Sequence, residues 1–538
     1  MTRPPCIMAF DYAPLDMAAL RMLLAGRVSP QISAAAMGRV AKGRQVLERA
    51  IAAGQPIYGA TTGVGAMKCT EHRDAGAILQ FNTSLALAHQ VAVGEVMPDG
   101  IARLTLALRL NTALSGRVGV SEGFVRHLAA MLHHDLLPVL HGRGSVGCAD
   151  LGQMGELASV MVGEGAATLA GLPLPADVAY AQAGLQPYAM QPRDSLAAIS
   201  TNAFGLARCA AAVARAAEVI RQAMTQAAVT AAAWGLDRAV WQAALESHIP
   251  GEAEMAAWLQ AALDDQQDWP ARSTVHDALS GRFLVQILTA SVAAASTAAR
   301  SVTRHTTQID DNPVICGDKV VTSGASLLCD LSASVAGLQL ALSQLGRNVF
   351  NRCLILTNGG LPGLPVNLVP PGRIATGYGP LMKLAQEQAL RINLAAQPVV
   401  PLNLTLAAGL EDEALLIPLA AERLLDQLEA LDWLLTIEAL LAVQALDLRG
   451  LAQGRMLAMQ AELVRRHIAP LSRDVPLSAP LSALRENLRM NEVRAGLRAL
   501  APFPAFDQEM GFSQSDTARE DSALCRQTKE IAQGDLIQ

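Results

Sequence analysis

Residues 412–451 read DEALLIPLAAERLLDQLEALDWLLTIEALLAVQALDLRGL. Apolar residues recur three and four apart along the stretch, which is the spacing of a helix, and they fall on more than one face. Such a helix has to be covered from several sides. Three further runs share the pattern: Leu196–Ala232, Thr274–Arg304 and Leu331–Leu356. Antiparallel helices of this length predict a bundle. The apolar segment Leu434–Leu448 contains Glu438 and Gln444, so it reads as a buried bundle helix rather than a membrane span.

Composition agrees. Of 538 residues, 51% are hydrophobic but only 4% aromatic, because the apolar content is mostly alanine and leucine, both strong helix formers. The expected fold class is all-α: a long central helix bundle with a mixed N-terminal domain. Residues 1–195 combine short helices with glycine-rich turns. Residues 196–475 form the bundle, and the more charged residues 476–538 form a helical cap. A formal net charge of −6 provides no basic field for nucleic acid. Eight cysteines without a Cys-x-x-Cys pair suit reduced thiols and a cytoplasmic setting. No His/Cys/Asp cluster has ligand spacing, so no metal is expected.

Two glycine-rich turns stand out in the N-terminal part. The first is Tyr58-Gly-Ala-Thr-Thr-Gly-Val-Gly65, and the second is Gly144-Ser-Val-Gly-Cys-Ala-Asp-Leu-Gly-Gln-Met-Gly155. Glycine lets the backbone approach a ligand closely because it lacks a Cβ. Later come Arg109-Leu-Asn111, Asp311-Asn312-Pro313, Ser280-Gly281-Arg282, Leu410-Glu411-Asp412 and Gln444-Ala-Leu-Asp-Leu-Arg449.

From about Tyr58 to Arg449 these motifs resemble the histidine and aromatic amino acid ammonia-lyase superfamily. The resemblance implies a fumarase/aspartase-type helix bundle. It also implies roles for individual residues. Tyr58 matches the catalytic base of the family's Tyr-Gly-x-Asn-Thr-Gly-x-Gly turn, with Thr62 beside the substrate. His89, in Ala88-His89-Gln-Val-Ala-Val-Gly-Glu95, matches a histidine lining the ring pocket. Arg282 matches the arginine that binds the substrate carboxylate, and Glu411 a glutamate facing the substrate ring.

The departures are concentrated at one place. Family members carry Ala-Ser-Gly after Gly-Ser-Val-Gly, and these residues cyclise into a methylidene-imidazolone electrophile. Here Cys148-Ala149 precedes Asp150-Leu151, one residue short, with no serine to dehydrate and no glycine to close the ring. The asparagine that steadies the family's ring aligns near Ser200, within Ile199-Ser200-Thr201-Asn202. The second catalytic tyrosine aligns with Leu279, the preceding glutamine with His276, and the Gly-Asn-Phe-His-Gly loop with Gly324–Cys329. The lost residues serve the electrophile, whereas Tyr58, Arg282 and Glu411 serve the substrate.

Each retained group also has an ordinary structural reading. Tyr58 could pack in a turn, and Arg282 could pair with Asp277. Glu411 could be a charge at the start of the long helix, favoured by its dipole. Lys383, in Gly379-Pro-Leu-Met-Lys383-Leu-Ala385, either pairs with Glu411 and polarises a substrate ring, or snorkels at the surface. His89 could be a hydrogen-bonded structural histidine. Cys148 and Ala149 most simply leave room, since no histidine is arranged to activate the thiol.

A quaternary ammonium needs no electrophile, because it has no lone pair to add and leaves as a neutral amine. The resemblance therefore points to the superfamily branch without the prosthetic ring, the ergothionases. The expected reaction is release of trimethylamine from ergothioneine, the betaine of 2-thiohistidine, to give thiourocanate. Tyr58 would be the base, Arg282 the carboxylate clamp, and Lys383 with Glu411 the ring contacts. The alternatives are an ammonia-lyase or aminomutase on another amino acid, and a non-catalytic binding protein of the same fold. No cofactor is expected. The resembled family also implies a homotetramer in which Tyr58, Arg282 and Glu411 come from different subunits.

Overall fold

The computed structural model describes residues 5–270 and 275–512. It is mostly helical, and the fold class matches the expectation. The long helices are Ala203–Trp234, Leu284–His305, Cys329–Thr357 and Ile417–Arg449. The start of the predicted run at Thr274 lies outside the described residues.

Two compact units make up the chain. Of the described residues, the first comprises 5–214, 298–336 and 398–423; the second comprises 215–270, 275–297, 337–397 and 424–512. They divide the chain differently from the composition shifts near 195 and 475, because all their boundaries but the one at 397/398 fall inside the long helices. The strands of the described residues all lie in the first unit. They form three two-stranded sheets and one three-stranded sheet. Cys6–Phe10 pairs in parallel with Val28–Ile32, and Val93–Val96 pairs antiparallel with His141–Arg143. Helix Asp99–Ala113 crosses this unit almost wholly buried, together with Phe124, Leu128 and Leu132 of the next helix.

In the second unit, residues 434–446 of the last long helix are buried at every position. The polar residues in that run are satisfied. Glu438 accepts from Arg352 Nε at 2.6 Å and Nη2 at 2.9 Å, and from Thr230 Oγ1 at 2.8 Å. Gln444 Oε1 accepts from Arg465 Nη2 and Leu471 N, both at 3.1 Å. Among the described residues one stretch, 194–234, a short and a long helix in series, is long and apolar enough to cross a membrane, but 89% of its apolar window is buried inside the protein. That burial marks a core helix.

Two boundaries differ from the sequence reading for identifiable reasons. The run from Leu196 is not one helix: Asp194–Ile199 ends, and Ala203–Trp234 begins after a break at residues 200–202. Backbone groups in that break bond to site residues instead of to their own helix. The long helix begins at Ile417, not near Asp412. Leu416 has φ +52°, which a right-handed helix does not accept, and Pro418 suits a first turn. Glu411 therefore lies ahead of the helix in a bridge with Leu406 and is not a charge on its first turn.

Candidate active site

The loop before helix Leu151–Met161 is tied at both ends. Ser145 Oγ donates to Asp150 Oδ1 at 2.6 Å and accepts from Gly147 N at 2.9 Å. Asp150 Oδ2 accepts from Gly205 N at 2.7 Å, and Leu416 N donates to Val146 O at 2.8 Å. Gly147 has φ +75°, and a Cβ there would stand 2.6 Å from Ile417 N, so only glycine fits. Ala149 also adopts a positive φ, +63°, an uncommon conformation for a residue with a Cβ. Burial pushes the Asp150 carboxyl up to about 6. Burial likewise raises the Cys148 thiol, whose Sγ lies 3.7 Å from Ser326 Oγ. A raised thiol is a weak nucleophile, so Cys148 acts here as a small neighbour.

The side chain that meets this loop is Asn202. Its Oδ1 accepts from Ala149 N at 2.9 Å, and its Nδ2 donates to Ser326 O at 2.7 Å. Within the 199–202 segment it is Asn202 that bonds to the loop; Ser200 caps the short helix, two residues earlier. One amide joins the 144–150 loop to the 324–329 loop. Asn202 N in turn donates to Asp310 Oδ2 at 2.5 Å, and Thr201 Oγ1 donates to the same oxygen at 3.2 Å. Beside it, the wholly buried Asp311 receives both Arg109 (2.8 and 2.9 Å) and Arg193 (2.9 Å).

Tyr58 is half-buried in the glycine turn. Its hydroxyl accepts from Gly65 N at 2.9 Å. Gly59, at φ +64°, lets the chain reverse directly after it. Burial raises the Tyr58 pKa, opposed by the Gly65 hydrogen bond and reinforced by the negative charge of Glu411. Tyr58 and Glu411 are therefore electrostatic neighbours in one chain, which corrects the expectation that this pair comes from different subunits. The contact of Gly65–Met67 with Ala407–Gly409 brings the two turns together. Thr62 is buried, and its hydroxyl donates to Gly63 O at 3.0 Å. His89 caps helix Ala75–Ala88, with Nδ1 3.0 Å from Leu85 O.

Arg282 and Lys383 belong to the second unit. Arg282 closes the short helix Leu279–Arg282 and forms no ion pair with Asp277, whose Oδ2 accepts from Asp237 N at 2.9 Å. Lys383 is exposed in the first turn of helix Leu381–Ala395 and has no ion-pair partner among the described residues. His276 and Leu279 are also exposed. Among the described residues no group of three or more His, Cys, Asp and Glu could hold a metal ion.

Sequence reasoning missed Asn202, Ser326 and Asp310. Asn202 carried a signal, the Thr-Asn pair after an apolar helix end, where such residues favour turns. The pairing of Asp310 with the Asn202 backbone spans 108 residues and left no local pattern.

The family and relatives of this chain are ammonia-lyases, so it is a carbon–nitrogen lyase. The sequence profile of the aromatic amino acid lyases matches residues 15–466, and the chain belongs to that family. Among its relatives is the histidine ammonia-lyase of Paracidovorax citrulli, 30% identical over 484 residues, covering 88% of this chain and 94% of that one. The histidine ammonia-lyase of Deinococcus radiodurans is 30% identical over 500 residues, with 90% and 95% covered. Among solved structures, the ergothioneine-degrading ergothionase of Treponema denticola, in complex with desmethyl-ergothioneine sulfonic acid, superposes with a TM-score of 0.87 at 24% identity, covering 90% and 98%. The tyrosine aminomutase of Streptomyces globisporus gives 0.84 at 22% identity, covering 93% and 99%.

Proposed function

We propose that this protein eliminates trimethylamine from ergothioneine to give thiourocanate, without a prosthetic electrophile. The observation that carries the reading is Cys148-Ala149-Asp150 where the family's electrophile forms. The residues present do not fit that group: there is no serine to dehydrate, and Asp150 N is committed to Thr201 O at 2.8 Å. A free amine would need the missing electrophile, whereas a quaternary ammonium leaves as it is. The histidine ammonia-lyase relatives argue for a histidine-like ring in the substrate.

In this reading Tyr58 takes the β-proton onto its phenolate oxygen. The C–H pair becomes the new C–C double bond, and the C–N pair departs with neutral trimethylamine. Burial and Glu411 hold the resting tyrosine protonated, so a cation must offset them. A permanently charged trimethylammonium beside Tyr58 supplies it. Arg282 grips the carboxylate through its two-pronged fork, and Lys383 with Glu411 engages the thioimidazole as it gains charge. His89, Thr62 and the Ser200–Asn202 turn complete the wall. Arg282 comes from a neighbouring subunit of a homotetramer.

The test is incubation of the purified protein with ergothioneine, hercynine, histidine and tyrosine. Expected is trimethylamine released one-for-one with a conjugated acid, from ergothioneine fastest. Ammonia from histidine, or an intact mass below that of the plain sequence with the deficit in residues 144–152, overturns the reading.

A further inference from the structure

Asp310 is the anchor beneath the two loops, and nothing in the reaction as described uses it. One oxygen is committed: Oδ2 accepts from Asn202 N at 2.5 Å and from Thr201 Oγ1 at 3.2 Å. The residue is only 6% exposed, and its other oxygen, Oδ1, has no hydrogen-bond partner. Asp310 lines a cavity of about 10 Å³, room for one water-sized group, together with Thr112, Asn202, His305 and Gln308. His305 is anchored through Nε2 to Asp330 Oδ1 at 2.6 Å, while its Nδ1 is buried and unpartnered.

We propose that Asp310 is a positioning residue for the elimination: through Asn202 it sets the 144–150 and 324–329 loops, and its ionisation state sets how firmly they are held. This inference rests on the proposed function for its kinetic form only. As a carboxylate, Oδ2 makes charge-assisted bonds to Asn202 N and Thr201, roughly twice as strong as neutral ones. Once protonated, Asp310 holds them only as a neutral acceptor. Asn202 transmits the difference directly, because its amide bonds Ala149 N on one loop and Ser326 O on the other.

The surroundings put the change in the working range. Burial and the adjacent Asp311 push the Asp310 carboxyl up to about 7, against the Asn202 and Thr201 hydrogen bonds and the charge of Arg109. The neighbouring Asp311 is paired instead with Arg109 and Arg193, which both bond to it. The titratable group facing Asp310 across the cavity is His305.

Asp310→Asn keeps an oxygen for Asn202 N and removes the titration. The first readout needs no substrate: hydrogen–deuterium exchange of the peptide around Ala149, corrected for intrinsic rates, between pH 6 and pH 8. Protection in the native protein should rise with pH by about tenfold more than in the variant, whose remaining pH dependence is that of Asp150 on the same loop. The second readout is turnover of ergothioneine over the same range. The rise in kcat from pH 6 to pH 8 should be steeper in the native protein than in the variant, which keeps only the rise due to the Tyr58 base, with KM little changed. Equal pH-dependent protection in the two proteins overturns the inference, as does a kcat profile that the substitution leaves unmoved. If ergothioneine is not consumed by the native protein, the proposed function fails, and the exchange measurement still decides this one.

Discussion

Gly147→Ala probes the loop with a single methyl group. Two costs follow from the geometry. At φ +75° a residue with a Cβ loses about 1–2 kcal/mol relative to glycine. The new Cβ would also stand 2.6 Å from Ile417 N and 3.0 Å from Leu416 N, backbone atoms that cannot rotate aside. Forcing such an overlap costs a further ~1–3 kcal/mol. The expected loss is about 2–5 kcal/mol, read as a lower urea midpoint at unchanged m. The backbone shift also loosens Ala149 from Asn202, so turnover should fall on the order of 10²-fold. Ala149→Gly is the control. It removes the strain of φ +63° but adds unfolded-state freedom, so it should change stability by less than about 1 kcal/mol. A Gly147→Ala protein with the native urea midpoint would refute the reasoning, because the contact would then be yielding rather than rigid.

Tyr58→Phe should lower kcat about 10²–10⁴-fold with little change in KM, since it removes the base and spares the carboxylate grip; initial rates across substrate concentrations decide it. Asp150→Asn should flatten part of the pH dependence of unfolding. Its folded pKa of about 6 lies above the ordinary carboxyl value, so the native protein loses stability as pH rises from about 4 through 6, and the variant should lose less, as urea midpoints at pH 4, 6 and 8 will show. Asp311→Ala strands Arg109 and Arg193 and should cost about 3–5 kcal/mol or prevent folding, measured by thermal unfolding. Tyr58→Phe mixed with Arg282→Ala, unfolded and reassembled together, should regain part of the activity if the two groups meet across subunits; verified mixed tetramers without activity would count against a shared site.

The sequence made the helices legible because alanine and leucine at three- and four-residue spacing leave few other options. It marked Tyr58 and Glu411 as candidates because each sits in a local motif. Helix ends were less legible. The break at 200–202 exists because Thr201 and Asn202 give their polar groups to Asp150, Ala149 and Asp310, and an apolar pattern does not register where a backbone bond goes. Asn202 was passed over for Ser200 because a two-residue offset is invisible without the loop it touches. Asp310 was hidden altogether: its partners are over a hundred residues away, and its neighbour Asp311 carried the more noticeable motif.

The carboxylate of Asp311 has a consequence for the order in which the chain is assembled. Ribosomes release the N-terminal side first, and Arg193 and Arg109 precede Asp311 by 118 and 202 residues. At roughly 5–20 residues per second, the nearer arginine waits on the order of ten seconds for its counterion. Two guanidinium groups cannot be sealed from water through that interval, so the nascent N-terminal half must stay hydrated around them. Vectorial synthesis therefore makes the ground under the active site one of the last parts of the first unit to close.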